Sequence, residues 1–379
     1  MIMKFWIRGI VTAALLFAFQ IAGFAQNAGE QPFFWSGTVR FPSVKGETNA
    51  YPVIARTESG KLITAWSVSG PKNSDGRIDV STSDDGGKTW SEPVIAIDTP
   101  GQFDGDPSLI IDGKRILVIP STVVPPNKIT KSEVWMTVSE DDGKTWSKPT
   151  EIKTGFKYFV GKRHIGLKLK DGTLVMPASY DIWAERGTPA KTEGEMDLKA
   201  GVLLSKDHGA TWTAHVDLHL FVPKVTPFST GGVVEPAIVE LANGDLYMLL
   251  RTGTEYLYES RSSDGGKTWS EPARTKLHGH NTPASLWRLD GNSNEIIAIW
   301  NNSPRNRYPL SVAISADGGK SWSRPKDVAR SDGPQISYPG ITQDTAGNFV
   351  AVWQEQLPDG AGRAIRSARF NRAWVLSEK

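Results

Sequence analysis

Ser262-Ser263-Asp264-Gly265-Gly266-Lys267-Thr268-Trp269 follows a pattern, Ser-x-Asp-x-Gly-x-Thr/Ser-Trp, that recurs at residues 83–90, 139–146, 205–212 and 315–322. A turn repeated this often restricts the chain to a repeat architecture, in which each copy closes one supersecondary unit. Each copy reads as a hairpin. The Asp carboxylate can accept backbone N–H groups across the turn, and the Gly two residues on can take positive φ. The Trp then serves as an apolar plug beside the turn. These octapeptides are expected to be folding devices rather than catalytic sites.

Between the octapeptides runs a second pattern, an extended segment opened by Pro and closed by a Gly turn. It reads Pro52 to Gly60, Pro236 to Gly244, Pro283 to Gly291 and Pro339 to Gly347, with a shorter form from Pro107 to Gly113. In the remaining copy His164 holds the Pro slot before Gly172. The segments that follow are apolar or period-two strands, such as residues 62–66, 116–119, 174–176 and 246–250, and no convincing amphipathic helix intervenes. The copies define six units of roughly 59 residues, enough for four strands and their loops, and radial packing is how such units cover both faces. The expected fold is all-β, a six-bladed β-propeller. The sixth unit lacks the octapeptide, and the leading segment Phe33–Arg40 is expected to supply its closing strand. Longer loops near residues 71–77, 182–198 and 278–281 are where function is expected.

At 379 residues the length allows two or three domains, but the repeats span nearly everything, so residues 26–379 read as one domain. Residues 1–25 read as a signal peptide: Lys4 and Arg8 precede an apolar run from Ile10 to Phe24, and Gly23-Phe24-Ala25 suits cleavage. Their removal leaves basic and acidic residues balanced, so nucleic acid is not an expected partner, and no other stretch could span a membrane. With no cysteine the chain must rely on its core rather than on disulfides. The expected location is periplasmic or extracellular, and the expected state a monomer.

On these octapeptides and units the chain resembles the bacterial exo-sialidase superfamily, whose six-bladed propellers carry the same Asp boxes. The resemblance covers the whole mature chain. In that family the position before the Pro slot often aims a side chain into a central cleft. Here those positions hold Tyr51, Asp106, Arg163, Glu235, Thr282 and Tyr338. Glu235-Pro-Ala-Ile-Val-Glu-Leu-Ala-Asn-Gly244 is similar to the family's Glu-x-x-Val-Val-Glu-Leu-x-x-Gly, and Arg251 follows at the family spacing. Arg307, eight residues before Ser315, falls where the family places another substrate-binding Arg. Tyr338, in Ser-Tyr-Pro-Gly-Ile, looks like the family's nucleophilic Tyr.

The resemblance implies a glycan substrate ending in a carboxylate-bearing sugar. A carboxylate nucleophile would be repelled by such a sugar, whereas a phenol activated by Glu235 would not. Arg251 and Arg307 would clamp the substrate carboxylate, which a planar guanidinium can grip bidentately. Two positions depart from the family. Its Arg-Ile-Pro would place an Arg at residue 50, where this chain has Ala50. Arg56 lies about 20 Å along the strand from that end, Arg40 lacks the following Gly, and Arg163 is the better substitute, with Lys162 and His164 as competitors. The family's acid falls on Ser74, leaving Asp75 as the candidate.

Other readings stay open. His164, His278 and His280 lie near inner-strand entrances, and a His base with a Tyr acid would equip a propeller polysaccharide lyase acting on uronates. Asp106, His164 and His280 are therefore candidate substrate contacts alongside the arginines. A non-catalytic carbohydrate-binding propeller is the third reading. No cofactor is expected, nor a metal, since His278 and His280 lack a clear third ligand.

Overall fold

The computed structural model describes residues 30–71, 75–124, 131–160, 164–188, 190–221, 226, 229–291, 294–331 and 335–378. The expected signal peptide lies outside them. So do Ser74, Lys162 and Arg163.

The described chain is built almost wholly of antiparallel meanders. The first runs through Thr48–Arg56, Leu62–Ser69, Gly76–Ser83 and Val94–Ile97. The second runs through Phe103–Asp112, Arg115–Val123, Ser132–Ser139 and Thr150–Glu151. The third comprises Leu167–Lys168, Leu174–Asp181, Asp197–Ser205 and Thr213–Leu218. The fourth comprises Gly231–Glu240, Leu246–Thr252, Tyr256–Ser262 and Ala273–His278. The next is Ala284–Arg288, Ile296–Asn301, Leu310–Ser315 and Lys326–Ala329. The last joins Ile336–Gln343, Phe349–Gln356 and Arg363–Phe370 to the leading strand Phe34–Arg40. The closing strand expected from the sequence is therefore present, with Phe34 opposite Phe370 and Trp35 opposite Arg369.

Why the second strands carry unbroken apolar runs is clear from what covers them. Leu62–Ser69 and Leu246–Thr252 are buried at every position, because each meander packs a neighbour on both faces. Val53, Ile63 and Ile78 share a core with Leu109, Ile116 and Val118 of the second meander. The same sharing continues along the chain, and Ile54, Leu62 and Trp66 pack on Val350, Val352 and Ile365 of the last meander. The first strands also meet in sequence, with Thr48–Arg56 touching both Phe103–Asp112 and Ile336–Gln343. The last meander thus closes on the first.

Each octapeptide links the third and fourth strands of its meander. In one copy Asp264 Oδ1 accepts the Lys267 and Thr268 amides at 3.0 and 2.9 Å, while Oδ2 accepts the Thr268 hydroxyl at 2.6 Å. Ser262 Oγ donates to Asp264 and accepts the Gly266 amide. The turn needs two successive residues at positive φ. Gly265 and Gly266 take them here, whereas Asp142 and His208 carry the first of the pair in their copies at φ 60° and 59°. The Trp of each copy packs into the core shared with the preceding meander: Trp90 against the last, Trp146, Trp212, Trp269 and Trp322 against their own predecessors. The last meander has no octapeptide. Its junction is filled instead by Trp374 of the short helix Arg372–Leu376, whose N-cap Asn371 accepts the Trp374 amide at 2.9 Å.

Candidate active site

The four residues Tyr51, Asp106, Glu235 and Tyr338 share one unusual backbone conformation, with φ of 57°, 49°, 50° and 54°. Each precedes a Pro on the first strand of its meander, and each sits where the register to the second strand slips. Proline has no N–H to give the ladder, so a bulge there sacrifices little pairing. A left-handed conformation for such side chains costs about 1–3 kcal/mol and gathers at functional sites. The bulge turns the same position of four meanders at one end of the ring. That end is opposite the octapeptides: Thr48 pairs with Ser69 at the Tyr51 end, and Arg56 pairs with Leu62 beside Ser83 at the other.

The next-to-last meander differs by one residue. Thr282, expected to face the cleft, is fully buried and donates its hydroxyl to Asn301 Oδ1 at 2.8 Å. The left-handed residue is Asn281, at φ 47°. The two differ by one position, and nothing in the Pro spacing announces it.

The side chains converge through a continuous set of contacts. Arg251 Nη1 donates to Glu235 Oε2 at 2.9 Å, and Arg251 Nε donates to Asn281 Oδ1 at 3.0 Å. Arg307 Nη2 donates to the backbone oxygen of Asn281 at 2.7 Å. The Arg307 guanidinium lies 4.8 Å from the centre of the Tyr338 ring, within cation–π range. Tyr338 in turn meets Tyr51 edge to face, with ring centres 4.9 Å apart at 83°. Glu235, Arg251, Arg307 and Tyr338 are thus brought into one cluster, and Tyr51 and Asn281 complete it. Chemically the cluster joins two guanidinium groups, a carboxylate, two phenols and a carboxamide.

Around this cluster the backbone is held from behind. The Glu235 amide donates to Ser179 Oγ at 3.1 Å, and His164 Nε2 bonds the Glu235 carbonyl at 3.1 Å. His164 is 2 % exposed, which makes it a support for the Glu235 bulge. The Tyr51 amide donates to Gln354 Oε1 at 3.0 Å, and Gln354 Nε2 donates to Ser337 Oγ beside Tyr338. His280 Nδ1 bonds the Thr254 carbonyl, and its amide donates to Ser303, so it ties two loops together. His278 packs its ring on Tyr256. Asp106 is half-buried, its amide donating to Ser67 Oγ. Asp75 is exposed just before Gly76, at the same end of the first meander as Tyr51, with Oδ1 accepting the Gly76 amide at 3.0 Å.

Ala50 is buried opposite Ser67. Arg56 lies at the far end, paired with Asp290 at 2.7 Å, as its distance along the strand required. Arg40 lies on the outermost strand, paired with Glu92. Neither fills the place of the arginine absent at residue 50.

Residues 45–351 match the BNR repeat-like domain. A sialidase of Bacteroides fragilis (strain YCH46) is 26 % identical over 333 residues, covering 76 % of this chain and 56 % of that protein. The chain therefore spans about half the length of that relative. Among solved structures, Hadza microbial sialidase Hz136 superposes with a TM-score of 0.71 at 22 % identity, covering 87 % of this chain and 66 % of that one. The intramolecular trans-sialidase of Ruminococcus gnavus superposes with a TM-score of 0.70 at 17 % identity, covering 90 % and 98 %. At such identities the superpositions speak for the fold alone. With the repeat match running across most of its length, the chain belongs to the BNR repeat-like family of the bacterial sialidase superfamily.

Proposed function

We propose that the meanders are six blades of a β-propeller and that the protein is an exported sialidase-like exo-glycosidase, releasing a terminal acidic sugar from glycans. The observation that carries this reading is the joined set Glu235, Arg251, Asn281, Arg307 and Tyr338. In it Tyr338 attacks the anomeric carbon as the bond to the leaving oxygen breaks, and Glu235 receives the phenolic proton. Asp75 protonates the leaving oxygen. Water then attacks the anomeric carbon as its bond to the Tyr338 oxygen breaks, giving a proton to Asp75, while Glu235 returns its proton to Tyr338 and all three groups regain their starting states. Arg251 and Arg307 hold the sugar carboxylate, with Arg163 proposed as the third cation in the absence of an arginine at residue 50.

Hydrolysis is favoured over uronate elimination because Glu235, Arg251, Arg307 and Tyr338 form one joined set, whereas His164 is buried behind the Glu235 bulge. The test is a panel of sialosides and uronate oligosaccharides in water enriched with heavy oxygen. Label in the released sugar supports the reading, and a product with a new carbon–carbon double bond overturns it.

A further inference from the structure

We infer that Asn281 is a positioning residue that orients both guanidinium groups of the carboxylate clamp, an inference that rests on the sialidase-like reading of the site. No motif marks this residue, yet it contacts both arginines of the cluster. Its amide donates to Thr252 O at 3.1 Å. Its Oδ1 accepts from Arg251 Nε at 3.0 Å and from Thr230 Oγ1 at 3.1 Å. Its backbone oxygen accepts from Arg307 Nη2 at 2.7 Å. A guanidinium can only donate, so the amide must present its oxygen to Arg251.

Two separate atoms of one residue therefore fix two arginines from different meanders. Arg251 is set by the side chain, and Arg307 by the main chain. Its φ is 47°, and in this conformation the carbonyl reaches Arg307 while the side chain reaches Arg251. Asn tolerates this conformation better than most residues with a Cβ. With Nη1 on Glu235 and Nε on Asn281, Arg251 turns Nη2 to the substrate; among the described residues that nitrogen takes no hydrogen bond.

Because the two arginines hang on different atoms, two substitutions separate them. Asn281→Gly keeps the positive φ and the carbonyl but removes the acceptor for Arg251. Asn281→Ala removes the same acceptor and also strains the backbone that carries the Arg307 acceptor. The probes are 2-deoxy-2,3-didehydro-N-acetylneuraminic acid and its analogue in which the carboxylate is reduced to a hydroxymethyl group. We expect Asn281→Gly to weaken binding of the acid by about tenfold, the effect of one hydrogen bond to a charged group, with Asn281→Ala weaker still. Binding of the reduced analogue stays unchanged, and on a fluorogenic sialoside KM rises more than kcat falls. A merely structural residue would instead weaken both probes alike, and that outcome overturns the inference.

Crystal structures of the two variants give a readout independent of activity. Arg251 displaced in Asn281→Gly, and both arginines displaced in Asn281→Ala, support the positioning role; Arg251 unmoved in both overturns it. Failure of the wild-type protein to bind or cleave any carboxylated sugar sinks the sialidase-like reading instead, and leaves the variant structures to decide the role of Asn281.

Discussion

Arg251 and Glu235 form an ion pair at 2.9 Å in which the two side chains are only 4 % and 2 % exposed. Removing charges from water is expensive, and a buried pair holds only while both partners remain. Arg251→Met should therefore destabilise the domain by about 3 kcal/mol in urea unfolding, through the carboxylate it strands. Replacing both partners, as Glu235→Leu with Arg251→Met, should recover most of that stability while leaving no activity. An unchanged midpoint for Arg251→Met would show that the pair is not the buried unit described.

Tyr338 and Glu235 are expected to act as one catalytic unit. Tyr338→Phe and Glu235→Gln should each lower kcat by about a hundredfold or more, the usual range for losing a general base. Their combination should be little worse than either alone. Steady-state kinetics of the three variants decide it: losses that multiply would mean that the residues act in separate steps.

Much of the fold was legible because the octapeptide turns and the Pro-to-Gly segments are local signals, written in adjacent residues. The alternation they punctuate fixed the second strands and the closing role of Phe33–Arg40. Trp374 was not legible, since it substitutes for a missing octapeptide from a helix that no repeat marks. At the site, the position before Pro identified Tyr51, Asp106, Glu235 and Tyr338, whose shared bulge has a local cause. Asn281 escaped because the left-handed residue of its meander falls one position before Thr282, which the Pro spacing does not mark. That one ring nitrogen of His164 and one of His280 meet backbone carbonyls was not legible, because only the folded chain brings those carbonyls near.

Closure of the ring is expected to depend on the leading strand and on Trp374 together. Phe34 stacks on Trp374 with ring centres 4.7 Å apart, and Trp374 fills the last junction. Trp374→Ala should cost up to about 3 kcal/mol, the lower end for aromatic truncation because the ring is only half-buried. Deleting residues 30–40 should cost more, since it also exposes the edge of Arg363–Phe370. The two losses should overlap, because both open one interface. A thermal midpoint unaffected by the deletion would refute closure by this strand.

The octapeptide carboxylates predict how stability responds to acid. The Thr145 hydroxyl bonded to Asp141, and the Thr211 hydroxyl bonded to Asp207, hold those carboxyls at about 2 against an ordinary 3.8. At Asp85 and Asp264 burial pushes upward, but bonds from Thr89, Ser83, Thr268 and Ser262 outweigh it and again give about 2. A depressed carboxyl stabilises the folded state fully above its unfolded value and loses that contribution as pH falls through its folded one. The window is therefore from about pH 4 down to about pH 2. Thr145→Val with Thr211→Val removes the leading cause at two turns, so the double variant should be less stable than the parent at pH 7. As the parent's carboxylates protonate, the gap should narrow toward pH 2. Urea midpoints measured for both proteins across that range give the answer, and a gap that stays constant would mean that these hydroxyls do not hold the carboxylates in their charged form.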